Sequence, residues 1–223
     1  MAVLMAKSPF TNGSGTGNFS RKSDTVNLSS NEDLWSKDYE EIWNGKWDQP
    51  KTVVNTGDGD DSLTISDSDP LISSRLIVEA YHFLLTFKGN DFIAAEELTV
   101  LAYGEINTGS GADSIEIVGI TAIEEGGLVD TGSSDDIVNF NGDTTVNGVI
   151  KLGSGDDELL FGEIVGGTGE VHGGSGFDRL IIDDYNTSVL LPGEHNFSEL
   201  TEADITKLFG EISVSGFEQL VLV

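Results

Sequence analysis

From residue 51 onward, apolar and polar residues alternate in short runs separated by Gly- and Asp-rich turns, the pattern of half-buried strands. The runs recur in phase with six aspartates, Asp61, Asp91, Asp113, Asp136, Asp157 and Asp178, which stand 30, 22, 23, 21 and 21 residues apart. Seven places before them are Val54, Leu84, Ile106, Val129, Ile150 and Val171; two places after are Leu63, Ile93, Ile115, Val138, Leu159 and Leu180. Four places after are Ile65, Ala95, Ile117, Phe140, Phe161 and Ile182. Residues two apart face one side of a strand, so each copy predicts strand, glycine turn, strand, with the apolar side inward. A unit of about 22 residues cannot enclose a core alone and must stack on its neighbours. The predicted fold is therefore all-β: a right-handed parallel β-helix or β-roll-like solenoid with coils about 4.8 Å apart and short capping helices. The rest of each coil is expected to form a return wall through Ile120, Ile123, Ile164 and Val165.

The two ends read differently. Residues 1–50 carry 5 basic and 7 acidic residues, against 6 and 32 in residues 51–223, and they hold all three tryptophans, Trp35, Trp43 and Trp47. Their Gly/Ser/Asn-rich opening predicts a flexible arm. A short Trp-bearing helix follows, with Ser30 as N-cap, Asp33 at the third position and Gly45 as stop. Residues 51–223 are then the solenoid with its C-terminal cap, where Thr201 and Asp204 predict a helix over 202–209.

The net charge of −28 excludes sequence-independent binding to nucleic-acid phosphates and makes a cation the natural partner. With no cysteine there are no disulfides and no thiolate metal sites, which leaves oxygen-ligated hard metals. No apolar run is long enough for a membrane span. The opening MAVLMAK has too short an apolar run, with the charge on the wrong side, to be a secretory leader.

The turns carry the candidate chemistry. Gly-x-Gly-x-Asp occurs at Gly57/Gly59/Asp61, Gly109/Gly111/Asp113, Gly153/Gly155/Asp157 and Gly174/Gly176/Asp178, with a variant at Gly132/Ser134/Asp136. A further copy, Gly89/Asp91, has Phe87 in place of the first glycine and is expected to bind nothing. Glycines two and four places before an aspartate let backbone carbonyls face inward with the carboxylate, an oxygen set suited to calcium. Turns alone are not expected to need glycine, glycine and aspartate together at one phase.

The stretch Gly173–Ile181, GGSGFDRLI, resembles the RTX or hemolysin-type calcium-binding nonapeptide G-G-x-G-x-D-x-U-x at every fixed position, and TGDGDDSLT, TGSGADSIE and LGSGDDELL depart only at the first glycine. The resemblance implies Ca2+ bound by Asp61, Asp113, Asp136, Asp157 and Asp178, with backbone oxygens from Gly109, Gly111, Gly132, Gly153, Gly155, Gly174 and Gly176. It also implies an extracellular or cell-surface protein exported by type I secretion. In the family a repeat returns every nine residues; here it returns once per coil, which points to a single column of ions.

No G-x-S-x-G, H-E-x-x-H or P-loop occurs, and His82, His172 and His195 are isolated in sequence. The expected function is therefore non-enzymatic: a calcium-binding extracellular structural or adhesive protein. The alternatives are a subunit of a filament, surface layer or virus-like appendage, docked on a protein partner or itself through residues 1–50, or a module binding cell-surface carbohydrate.

Overall fold

The computed structural model describes residues 58–65, 75–184, 190 and 192–223, together with the backbone of four strands at Ala2–Met5, Gly17–Asn18, Asp24–Leu28 and Thr52–Asn55. Over these residues the chain is a β-solenoid whose strands fall into two sheets, paired in parallel between coils. One coil shows the plan. A leading strand, Glu105–Asn107, runs into the turn at 109–113; a middle strand, Ser114–Ile117, follows, and a return strand, Thr121–Ile123, closes the coil. The next leading strand is Leu128–Asp130, in register with the first.

The alternation predicted from sequence fixes the register. Ile106 pairs with Leu84 and Val129, Ile115 with Ile93 and Val138, and Phe140 with Phe161. A one-residue slip would turn every one of these side chains to solvent. All are buried, and the Phe140 and Phe161 rings meet across adjacent coils with centroids 6.1 Å apart. Middle and return strands fuse in later coils into Ile137–Val146 and Glu158–Gly166.

The return wall differs from expectation. Ile123 is buried and Ile164 packs against the core, but Ile120 is 55% and Val165 52% exposed. Ile120 stands in the bend before its strand, where the two-residue alternation has not yet begun. The wall is built instead by Leu76, Val78, Leu98, Val100, Ile123 and Val146.

At the C-terminus the helix forms over Glu202–Phe209, and Thr201 and Asp204 make the reciprocal capping box. Phe209, Ile212 and Phe217 are buried behind it, and Phe197 lies 6.4 and 6.1 Å, ring to ring, from Phe209 and Phe217. Gly193–Asn196 adds an antiparallel strand to Gln219–Leu222.

Stacking also reaches into residues 1–50. Asp24–Leu28 pairs with Ser62–Ile65, Ala2–Met5 with Asp24–Leu28, and Gly17 and Asn18 with Val54 and Asn55. Over these short stretches of the expected arm the backbone is part of the sheets, in the same phase as the later coils. The expected helix from Ser30 to Gly45, with its tryptophans, lies outside the described residues.

Candidate functional site

The turns between leading and middle strands stack as a ladder of their own, with Asp58, Lys88, Ser110, Ser133 and Ser154 bridged in sequence. Inside that ladder runs a column of carboxyl groups. Asp61, Asp91, Asp113, Asp136, Asp157 and Asp178 are each at most 3% exposed. From Asp91 onward each reaches back to the coil before it: the amide of Asp61 donates to Asp91 Oδ1 at 2.8 Å, that of Asp91 to Asp113 at 2.8 Å, and that of Asp113 to Asp136 at 2.8 Å. The amides of Asp136 and Asp157 donate likewise to Asp157 and Asp178, at 2.8 and 3.0 Å. The last rung is a glutamate, since Asp178 N donates to Glu218 Oε2 at 2.7 Å.

One oxygen of each rung is thus spent on holding coils together. The other, Oδ2 of Asp91, Asp113, Asp136, Asp157 and Asp178, is buried and has no hydrogen-bond partner among the described residues. Beside it stands a second column. The hydroxyls of Thr86, Thr108 and Thr131 lie against the carboxyls of Asp91, Asp113 and Asp136. Each donates its single proton to a carbonyl of the next coil: Thr86 to Thr108 O at 2.9 Å, Thr108 to Thr131 O at 3.0 Å and Thr131 to Leu152 O at 2.8 Å. Each hydroxyl also hydrogen-bonds its carboxyl and favours the ionised form, so its one proton stands between a carbonyl of the next coil and a carboxyl of its own.

Burial sets the electrostatics. It lifts the carboxyls of Asp91 and Asp136 to about 7 and those of Asp113 and Asp157 to about 6, and it raises Asp178. Hydrogen bonds pull the other way, from Thr86 and then the Asp61 amide at Asp91, from the preceding amide and Thr108 or Thr131 at Asp113 and Asp136, and from the preceding amide at Asp157 and Asp178; neighbouring carboxylates add to the rise for Asp91, Asp136, Asp157 and Asp178.

The glycines have a steric role that the sequence did not reveal. At both glycine phases the backbone is left-handed, for example φ 94° at Gly109 and 130° at Gly111. A Cβ on Gly109 would overlap the carbonyl of Phe87, and one on Gly111 the carbonyl of Gly89. Gly132, Gly153, Gly155, Gly174 and Gly176 repeat this, each against the turn before it. Contrary to expectation, then, stacking alone favours glycine, glycine and aspartate at one phase: glycines let the turns approach, and the aspartate holds the amide of the preceding turn. The carbonyls of Gly109 and Gly132 accept the amides of Ser133 and Ser154.

Three further features were missed. Asp91, in the copy where Phe87 replaces the first glycine, is a full rung of the column, and Phe87 itself adopts φ 69° where glycine is the rule. The threonine column had a legible signal, a threonine five places before four of the aspartates, Asp61, Asp91, Asp113 and Asp136. Third, an exposed outer ladder runs in the opposite sense. The amides of Asn90, Ala112, Asp156 and Phe177 donate to the side chains of Asp60, Asn90, Asp135 and Asp156 on the preceding coil.

Among the described residues no three carboxylate or imidazole side chains converge on one point. A cation in the column would draw on carboxylates of two adjacent coils and on neutral hydroxyl and carbonyl oxygens. That donor set is hard and oxygen-only, which fits calcium in kind. Of the histidines, His172 bonds Ser215 Oγ at 2.8 Å and Glu170 Oε2 at 3.0 Å on the open outer face of the leading strands, not in a cleft. No helix among the described residues is long and apolar enough to cross a membrane.

Comparison of the chain with protein-family models, with characterised proteins and with solved structures gives no match.

Proposed function

We propose that the chain is a non-enzymatic structural or adhesive protein whose solenoid is stabilised by calcium held along the carboxylate column. The observation that carries this reading is the set of buried Oδ2 atoms of Asp91, Asp113, Asp136, Asp157 and Asp178, without hydrogen-bond partners among the described residues and one coil apart. At a spacing of about 4.8 Å, adjacent ionised carboxylates repel by roughly 3 to 4 kcal/mol at an effective dielectric of about 20. Arg179 pairs with Glu158 and Arg75 with Glu97, each at the protein surface, so these cations serve other carboxylates.

Calcium supplies the missing charge and accepts ligands of mixed kind at flexible angles; magnesium demands a tighter octahedral shell. Asp61, Asp113, Asp136, Asp157 and Asp178 would hold it as the RTX resemblance implies, with Asp91 as a further rung of the column and the Thr108 and Thr131 hydroxyls as neutral oxygens. Metal binding energy then becomes folding energy, which suits a chain exported unfolded and folded outside the cell. Far-UV circular dichroism in chelator, magnesium and calcium tests the reading. Calcium should strengthen the sheet spectrum and raise the melting temperature well beyond magnesium. Identical spectra and melting in all three would overturn it.

A further inference from the structure

At the opposite end of the leading strand from the carboxylate column lies a corner built from aromatic rings. Tyr81 and Tyr103 occupy one phase of successive coils, since Tyr81 N donates to Tyr103 O at 3.0 Å and Tyr103 N to Gly126 O at 2.9 Å. Their rings are stacked, with centroids 5.0 Å apart and planes 11° from parallel. Both residues adopt left-handed backbone, φ 64° and 63°, as does Gly126 at φ 81°. A bulky side chain in that region is strained, and such strain collects where side chains are held for a task. The third position of the stack holds no ring. Tyr103 is 61% exposed, and a Cβ on Gly126 would sit 3.9 Å from Tyr103 Cε1, an ordinary contact. Gly126 therefore leaves a step one ring thick over the end of an aromatic stack.

The charge around this step restricts what enters it. Glu124 and Glu125 immediately precede Gly126, and Glu105 begins the strand after Tyr103. No lysine or arginine occurs from residue 89 to 150. An anionic ligand would meet acidic residues on the coils of Tyr103 and Gly126, which carry no basic residue. A ring with an apolar face for the tyrosine and hydroxyl donors for the glutamates is matched on both counts. We propose that Tyr103, with Gly126 and the flanking glutamates, forms a binding site for a neutral hexopyranose, the terminal or internal sugar of an uncharged glycan. This goes beyond the calcium reading and does not depend on it.

The test uses the full chain, with tyrosine ring resonances followed by NMR during titration with a neutral glucose trisaccharide, in calcium and again in chelator. Methyl glucuronide serves as the anionic arm and N-acetylarginine amide as the cationic arm. The expected result is a saturable shift of the Tyr81 and Tyr103 rings with the trisaccharide and none with the glucuronide. Tyr103→Ala should lower the affinity about five- to tenfold. Gly126→Tyr should cause a similar loss by filling the step, in a backbone conformation that tyrosine already adopts in the two coils before it, with the sheet spectrum unchanged. No shift with the sugar up to its solubility limit, a shift only with the arginine amide, or equal sugar binding by Gly126→Tyr would overturn the proposal.

Discussion

Asp156 and Asp157 are adjacent in sequence and clamp opposite neighbours. The buried Asp157 carboxylate takes the amide of Asp136 on the coil before, and the exposed Asp156 carboxylate takes the amide of Phe177 on the coil after. Together they tie one turn to both sides of the stack. The inner clamp lies out of water and the outer clamp in it, so the same hydrogen bond carries different consequences.

Replacement separates the two. Asp156→Asn keeps an acceptor in place, as Asn90 does for Ala112, and should change stability by less than about 0.5 kcal/mol. Asp157→Ala leaves the Asp136 amide buried without a partner and should cost about 1 to 3 kcal/mol, read from denaturant unfolding in calcium-free buffer. Asp157→Asn should change sign with conditions. Without calcium it removes a repelling charge and stabilises at neutral pH; with calcium it weakens the response, raising the calcium midpoint of a titration at fixed ionic strength.

The raised carboxyls set a pH dependence for the metal-free protein. Their folded values, about 6 to 7 for Asp91, Asp113, Asp136 and Asp157, lie above the ordinary value of 3.8. Between these limits the folded state binds more protons than the unfolded one, so stability falls as pH rises. In chelator the melting temperature should therefore be highest near pH 4, fall through pH 6 to 7 and level above. A metal-free melting temperature that rises from pH 5 to 7 would contradict the buried column.

Glycine phases predict opposite outcomes at two sites. Gly111→Ala puts a Cβ into the Gly89 carbonyl at φ 130° and should destabilise by more than about 2 kcal/mol. Ser134 already sits at φ 84° where the other copies have glycine. Ser134→Gly should relieve that strain by about 1 to 2 kcal/mol, partly offset by the greater freedom of glycine in the unfolded chain, for a net gain of up to about 1 kcal/mol. Thermal melting of both variants checks the pair.

The threonine column predicts a separation of fold from ligand response. Thr108→Val keeps the shape but removes the donor to Thr131 O, and should cost about 1 kcal/mol of stability. If the hydroxyl oxygen contributes to cation binding, the calcium midpoint shifts upward by more than this loss alone produces. Calcium titration of Thr108→Val beside Thr86→Val, whose rung carries Phe87 and Lys88, reads the difference.

Much of the fold was legible because two periodicities coincide. The 21- to 23-residue recurrence of aspartate from Asp91 onward set the coils, and alternation around it named the inward residues of leading and middle strands. The helix over Glu202–Phe209 was legible because capping is local chemistry. The return wall was not, since bends of varying length reset the alternation and put Ile120 outside. The N-terminal strands carried a signal that the missing glycines hid: Val26 and Leu28 stand two and four places after Asp24, and the register of Thr25 on Ser62 puts Asp24 level with Asp61. At the column, sequence named the aspartates but not what their oxygens do. Whether a carboxylate faces solvent, a metal or the amide of another coil depends on residues more than 20 positions away, which no single turn encodes.

The central claim is that the inner column needs positive charge, from calcium at neutral pH or from protons at lower pH. Melting temperatures of the parent chain and of a variant with Asp113→Asn, Asp136→Asn and Asp157→Asn, taken at pH 7.5 with chelator, at pH 7.5 with calcium and at pH 5 with chelator, measure this directly. The parent should melt lowest in chelator at pH 7.5 and be raised by either calcium or acid, while the variant should show much smaller differences among the three. Equal melting of the parent under all three conditions, or a variant that responds to calcium and acid as fully as the parent, would contradict the account.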